Sequence, residues 1–507
     1  MTNDLTPILI GVGQATQKQA DLDKVSSPVD LMEAATWHAV DDAGIRRDQL
    51  GKLDVLVIVK SFREATRNSP EALASRLDAG QATQWLTPNG GNAPQYLVNR
   101  FSEAIANGEL RFALFTGAEA MDSARRILKS GKKLPWQVPS TTDPILLFPD
   151  REMANDHEKL HGMWIAAHVY PLFENALRAH YGHTIEQHQQ VMGELFARFT
   201  EVAQASPHAW YPVRRTAEEI ATASPTNRYV GWPYTKYMNA MNQINQSAAL
   251  LLTSIGFARE LGVDESRWIY LHGCADTTEI WHMSERVNYY SSPAIRVMGE
   301  QALSMACLSM GEIDFIDLYS CFPSAVEIAR DELGITIDDP RPLTITGGLP
   351  FHGGAGNNYV MNSIAAMVEK LRAHPGKFGL VTANGGYLSK HAAGIYSRTP
   401  IAGPWRREDP AMYQTLIDEA PRPTLEENPE GRGSVETYTV TFARDGNPER
   451  GIVIGRLGDG TDPDAPRFLA NTPADRGLLE SMTRKDLIGQ TGTVGKHDGI
   501  NLFRPGE

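Results

Sequence analysis

One arrangement occurs twice along these 507 residues and restricts the possible folds more than any other feature. A run with helical spacing from Leu31 to Ala43 leads through a short linker into Leu53-Asp54-Val55-Leu56-Val57-Ile58-Val59. Much later, Ala294 to Met310 leads in the same way into Ile313-Asp314-Phe315-Ile316-Asp317-Leu318-Tyr319, and both apolar stretches carry an acid at their second position. A further pair matches, Glu109 to Ala120 against Lys377 to Gly386, each a strand that follows an amphipathic helix and ends in a turn of small residues. Near-continuous apolar strands alternating with helices indicate parallel sheets covered on both faces. The expectation is an α/β protein of two packed copies of one half, with ligands at the carboxyl ends of the strands.

The copies divide the chain. A first half spans 1–265 and contains an insert over about 122–262, and a second half spans 266–405. The insert has helical periodicity, in Tyr170 to Leu177 and again from Ile185 to Ala205, and function gathers on such connections when a rigid frame holds them. His161, Trp164, Trp232, Tyr234 and Lys236 are its candidates for a substrate wall. After Gly403 acidic and proline-rich residues form a boundary, and 424–507 reads as a small β-barrel: Val435 to Phe442 alternates at period two, Asp445-Gly446 offers a turn, and Gly451 to Leu457 resumes as strand.

Composition narrows the function. A hydrophobic content of 42% with 21% charged residues describes an ordinary globular protein, and a net charge of -13 with no basic stripe excludes a nucleic-acid partner. No stretch approaches a membrane span, and Met1-Thr2-Asn3-Asp4-Leu5 lacks the features of a leader, so a cytoplasmic protein is expected. The three cysteines, Cys274, Cys307 and Cys321, are too few for a disulfide framework or a zinc site. Gly11-Val12-Gly13 lacks the third glycine of a dinucleotide loop, and no glycine cluster is followed by Gly-Lys-Ser/Thr.

The chemistry concentrates around Asp317-Leu318-Tyr319-Ser320-Cys321-Phe322-Pro323, where a buried strand delivers a cysteine to a helix start. Backbone N–H groups there favour the thiolate, the reactive form. Two glycine-rich loops accompany it, Gly347 to Asn358 with His352, and Thr382 to His391 with Gly385, Gly386 and His391. Too rich in glycine to be helix interiors, both read as loops closely approached by a ligand or another backbone. A cysteine and two histidines so placed are the parts expected where an acyl group is handled. Asn92 and Gln95, in Asn89 to Gln95, are candidate oxyanion donors.

These residues together resemble the thiolase superfamily over essentially the whole chain, in particular its sterol-carrier-protein type with a fused C-terminal OB-like domain. The resemblance implies an αβαβα arrangement with a central helical layer, a helical loop domain and an OB-like barrel. It also implies a coenzyme A thioester as substrate, no tightly bound cofactor, and a possible homodimer. The family's Gly-Ala-Glu-Ser-Met strand end is similar to Gly117-Ala118-Glu119-Ala120-Met121, and counting back from Ile105-Ala106-Asn107-Gly108-Glu109 puts the family's nucleophilic cysteine at Gly91. The His-Asp-Cys-Phe loop looks like Tyr319-Ser320-Cys321-Phe322, the Gly-His-Pro loop like Phe351-His352-Gly353, and the Cys-x-Gly-Gly loop like Ala383-Asn384-Gly385-Gly386. Cys321 and His352 remain, whereas a glycine at 91 forms no acyl-enzyme.

Three functions follow from that pattern. The first is acyl transfer of thiolase type, the cleavage or formation of a 3-oxoacyl-CoA, with Cys321 as nucleophile or proton carrier, His352 beside it and His391 assisting. The second is retro-aldol cleavage of a β-hydroxyacyl-CoA, in which Tyr319 carries the proton and no acyl intermediate forms. The third is acyl-CoA or lipid binding without catalysis.

Overall fold

A computed structural model describes residues 3–18, 21–136 and 138–506; Met1 and Thr2, part of the segment read as lacking leader features, lie outside them, as do the outermost ends of the first half and of the barrel. The first half lays down β1 (Pro7–Thr16), β2 (Val55–Val59), β3 (Thr83–Leu86) and β4 (Phe112–Ala120), passes through the insert with the short β5 (Tyr229–Gly231) and β6 (Tyr234–Thr235), and returns in β7 (Asn245–Ser254). The second half contributes β8 (Ile269–Thr278), β9 (Phe315–Asp317), β10 (Phe378–Gly385) and β11 (Lys390–Ser397). All nine body strands join in one sheet of order β3-β2-β4-β7-β1-β8-β11-β10-β9. Read outward from the β1–β8 junction, β7-β4-β2 on one side is mirrored by β11-β10-β9 on the other.

Equivalent residues do equivalent work in the two halves. Asp54 accepts hydrogen bonds from the backbone N–H groups of Arg111 and Phe112 at the start of β4, and Asp314 accepts one from Phe378 at the start of β10. These are the acids at second position in the two repeats. Gly13 packs its backbone so close to the helix Pro28–Ala43 that a Cβ would overlap the Ala35 carbonyl, and Gly273 stands in the same relation to Ala302 on the helix Pro293–Ala306. The glycines of Gly11-Val12-Gly13 thus serve close helix–strand packing.

Strand direction departs from the sequence expectation. β2 runs parallel to β3 and β4, and β9 to β10, but β1, β7, β8 and β11 lie antiparallel to their neighbours in the body. The sheet is mixed because β11 returns directly from β10 and β7 from β4 by way of the insert. β1, β2, β4 and β7 are buried along almost their whole length, so an apolar run signals two covered faces without signalling direction. β1 and β8 meet at only two residue pairs, and the helices Ala93–Ala106 and Tyr359–Ala373 pack on each other and on strands of both halves. These two helices form the central layer.

Beyond the body, β12 (Gly431–Phe442), β13 (Pro448–Leu457), β14 (Arg467–Asn471), β15 (Thr491–His497) and β16 (Ile500–Pro505) close into a five-stranded barrel, since β12 pairs with both β13 and β15. The insert enters it: β5 pairs with β12 at Gly231 and Thr441, and Trp232 stacks on Tyr438 in the barrel core at 5.4 Å between ring centroids. The barrel is fastened to the body through Arg467. This guanidinium is fully buried, pairs with Glu436 at 2.6 and 2.8 Å, and donates to the carbonyls of Ser284 (3.2 Å), Arg286 and Val287 (3.3 Å) in the second half. No helix among the described residues is long and apolar enough to cross a membrane.

Removing one partner of a buried pair leaves the other charge and several carbonyls without compensation. Arg467→Ala is expected to cost about 3 kcal/mol, the lower end for such a loss because Glu436 keeps some contact with water. Denaturant unfolding, with limited proteolysis of segment 419–430, measures it; an unchanged midpoint and cleavage rate would count against the anchor.

Candidate active site

A cavity of about 520 Å³ opens where the connections of both halves meet the insert. Gly90 and Gly91 enter it just before the helix Ala93–Ala106, Tyr319, Cys321 and Phe322 from the connection between β9 and the helix Pro323–Glu332, and Asn384, Gly385 and Gly386 from the β10–β11 turn. The insert supplies Tyr170 from the helix Ala166–His180 and, at the mouth, Trp164, which is 59% exposed. The sheet's carboxyl ends therefore carry the site, as expected of α/β folds.

Position 91 explains how the wall is built. A Cβ on Gly91 would lie 2.5 Å from the Asn384 carbonyl oxygen and closer still to the Tyr319 hydroxyl. The Tyr319 oxygen takes the space that a side chain at 91 would enter. Tyr319 is held there by its backbone N–H, which donates to Thr382 Oγ1 at 3.0 Å, and by an edge contact with the Tyr359 ring at 5.9 Å. Asn357 fixes the loop from the other side, accepting from the Gly90 N–H at 2.9 Å and donating to the Lys60 carbonyl at 2.8 Å.

Tyr170 ties the remaining parts together. Its hydroxyl donates to the Gly386 carbonyl (3.1 Å) and accepts from Asn384 Nδ2 (2.9 Å) and the Leu388 N–H (3.2 Å), while its ring stacks on Phe322 at 4.4 Å. Sequence reasoning placed Tyr170 in a helix of the insert but gave it no role, because the hydrogen-bond partners of its hydroxyl lie more than two hundred residues away. Asn384 stood inside a quoted loop, and its Oδ1 is buried without a hydrogen-bond partner.

Burial sets the protonation states. The Cys321 thiol is pushed up to about 12 by desolvation, which outweighs the Tyr170 hydroxyl and the Phe322 and Cys321 backbone amides beside it. This corrects the expectation of a thiolate at a helix start: the helix begins at Pro323, and the sulfur two residues earlier lies in a dry wall. Burial likewise raises the Tyr319 and Tyr170 hydroxyls well above the ordinary phenol value. The cavity is lined by neutral donors.

The other candidates lie elsewhere. His352 is 1% exposed and absent from the cavity wall; neither ring nitrogen has a hydrogen-bond partner, its ring sits edge-on to Tyr359 at 5.9 Å, and burial lowers it to about 3. The thiol–imidazole pair read from the sequence is not assembled. His391 bonds the Leu388 carbonyl at 3.1 Å, is lowered to about 4 by burial, and borders a separate cavity of about 300 Å³ that Asn92 also lines. Gln95 is inside the central layer, donating to Asn99 Oδ1 and accepting from the Tyr396 hydroxyl, both at 2.8 Å. Asn92 and Gln95 are thus parts of the frame, and neither faces the cavity. Of the proposed insert wall only Trp164 lines it: His161 is fully buried against the His157 carbonyl, Trp232 belongs to the barrel core, Tyr234 is buried behind Phe322, and Lys236 is exposed on the surface.

Two outcomes test this geometry. Gly91→Ala is expected to destabilise the protein by about 1–3 kcal/mol, the usual cost of overpacking, and Tyr319→Phe in that background is expected to restore part of it. Additivity of the two changes in a double-mutant cycle would show that the side chains do not compete. With iodoacetamide, exposed Cys307 is expected to label first, and Cys321 to label at a rate that rises about tenfold per pH unit through pH 10. Rapid labelling of Cys321 at pH 7 would contradict the protonated thiol.

The comparisons accord with this architecture. Residues 413–499 match the family model of the thiolase-like protein type 1 additional C-terminal domain. No curated protein matches the chain. Among solved structures, a monomeric SCP2-thiolase like protein type 1 from Mycobacterium smegmatis is 35% identical, with 99% of this chain and 100% of that one covered and a TM-score of 0.85. An Ltp2-ChsH2(DUF35) aldolase is 19% identical over 77% of this chain and 97% of that one, with a TM-score of 0.59. The dimeric peroxisomal thiolase of Saccharomyces cerevisiae is 13% identical over 79% of this chain and 99% of that one, with a TM-score of 0.57. At those identities the last two share the fold. The chain with its duplicated α/β body and closed C-terminal barrel belongs to the SCP2-thiolase-like protein type 1 family.

Proposed function

We propose that the protein is a lyase that cleaves the Cα–Cβ bond of a β-hydroxyacyl thioester by a retro-aldol reaction, with no covalent acyl intermediate. The observation that carries this reading is the Tyr319 hydroxyl in the space a nucleophile at position 91 would need. Buried neutral groups are poor nucleophiles and poor bases, but a phenol relays protons without ionising. In the cleavage step Tyr319 oxygen takes the proton of the β-hydroxyl while its own proton passes to the α-carbon. The Cα–Cβ electron pair becomes the new Cα–H bond, and the O–H pair becomes the carbonyl of the departing ketone or aldehyde. The protonated Cys321 thiol is a donor for the thioester oxygen as charge gathers there.

Coenzyme A as the thioester carrier comes from the thiolase resemblance, and the aldolase in the Ltp2-ChsH2(DUF35) structure supports the reaction class by analogy of fold. The relative from Mycobacterium smegmatis is monomeric.

Turnover of a panel of β-hydroxyacyl-CoA substrates tests the reading. Tyr319→Phe is expected to lower kcat at least about 10²-fold, the usual contribution of a positioned proton carrier, while Cys321→Ser loses much less. Full activity in Tyr319→Phe, or an acyl group on Cys321 in the intact mass spectrum, would overturn it in favour of acyl transfer. Absence of turnover with every substrate would leave ligand binding as the function.

A further inference from the structure

We propose that Glu174, His188 and Glu327 form a buried site for a divalent transition-metal cation. The three residues come from the helices Ala166–His180, Ile185–Ala205 and Pro323–Glu332, so the site would clasp two helices of the insert to the helix that follows Cys321. All three side chains are buried, and one ligand atom from each lies within 4.8 Å of the others. The inference does not depend on the reaction assigned above, because none of the three lines that cavity.

The charge balance points to a cation. Glu174 accepts from the Tyr234 hydroxyl at 2.6 Å, and its other oxygen lies 2.5 Å from His188 Nε2. Glu327 faces the Glu174 carboxyl, and neither of its oxygens has a hydrogen-bond partner outside that pair. The nearby guanidinium groups are engaged with other carboxylates, Arg330 with Asp331 at 2.8 Å and Arg178 with Asp486 at 2.5 Å. Two carboxyl groups buried together lack a guanidinium or ammonium partner, and either a cation or a proton between them relieves that. The half-buried His183 meets the other ring nitrogen of His188 at 3.3 Å, which fixes the ring. One imidazole nitrogen with carboxylate oxygens is a donor set that suits zinc.

Zinc is therefore the probe. The full-length protein dialysed into metal-free buffer is expected to retain a stoichiometric transition metal by plasma mass spectrometry. A strong chelator should lower its thermal midpoint, and added zinc should restore it. Glu327→Gln, which keeps the side-chain shape, is expected to bind zinc at least about tenfold more weakly and to lose the zinc-dependent shift, with Glu174→Gln as a second variant. The proposal fails if neither isolated nor zinc-titrated protein holds metal, or if Glu327→Gln binds zinc like the parent. A Glu327→Gln variant of raised stability, with no zinc response in either protein, would identify a proton shared by the two carboxyl groups in place of the metal.

Discussion

The site depends on a competition for one small volume. Between the backbone at position 91 and the Asn384 carbonyl there is room for a single polar atom, and the Tyr319 hydroxyl fills it. A cysteine at 91 and a tyrosine at 319 are mutually exclusive in this backbone arrangement. A side chain at 91 would enter this volume from a helix start in the first half, whereas Tyr319 reaches it from a connection in the second. The pseudo-symmetric body allows both approaches, because the two connections face each other across it.

Desolvation then decides what that oxygen can do. The cavity draws its polar groups from turns packed beneath an insert, and Tyr170 closes the floor by bonding to the end of β10 and to the turn that leads into β11. Under such a cover a charged thiolate or phenolate would lose hydration worth several kcal/mol with little to replace it. Chemistry that moves a proton and an electron pair together suits this wall better than chemistry that waits on a preformed anion.

Much of the fold was legible because it was written twice. The repeat of helix, acid-bearing strand and small-residue turn located both halves, and Asp54 and Asp314 proved to cap equivalent strands. Tyr319, Cys321, Gly385 and Gly386 were legible as residues that would line one cavity, because strand ends and tight turns are where backbones approach most closely. The histidines were not. Glycines around His352 indicated a close approach without revealing by what: Gly348 gives way to Phe199 and Ser320, and Gly356 to Glu119, so this loop is crowded by the protein itself. Strand direction and the partners of Tyr170 were equally invisible, since neither hydrophobic pattern nor spacing encodes contacts across two hundred residues.

The insert and the barrel share more than a boundary. A strand of one is paired to a strand of the other, and an indole from the first fills the centre of the second. Neither piece could have been gained or discarded alone without exposing an unpaired edge and an unfilled core. The two appendages therefore form one structural unit, although more than 150 residues of the body separate them along the chain.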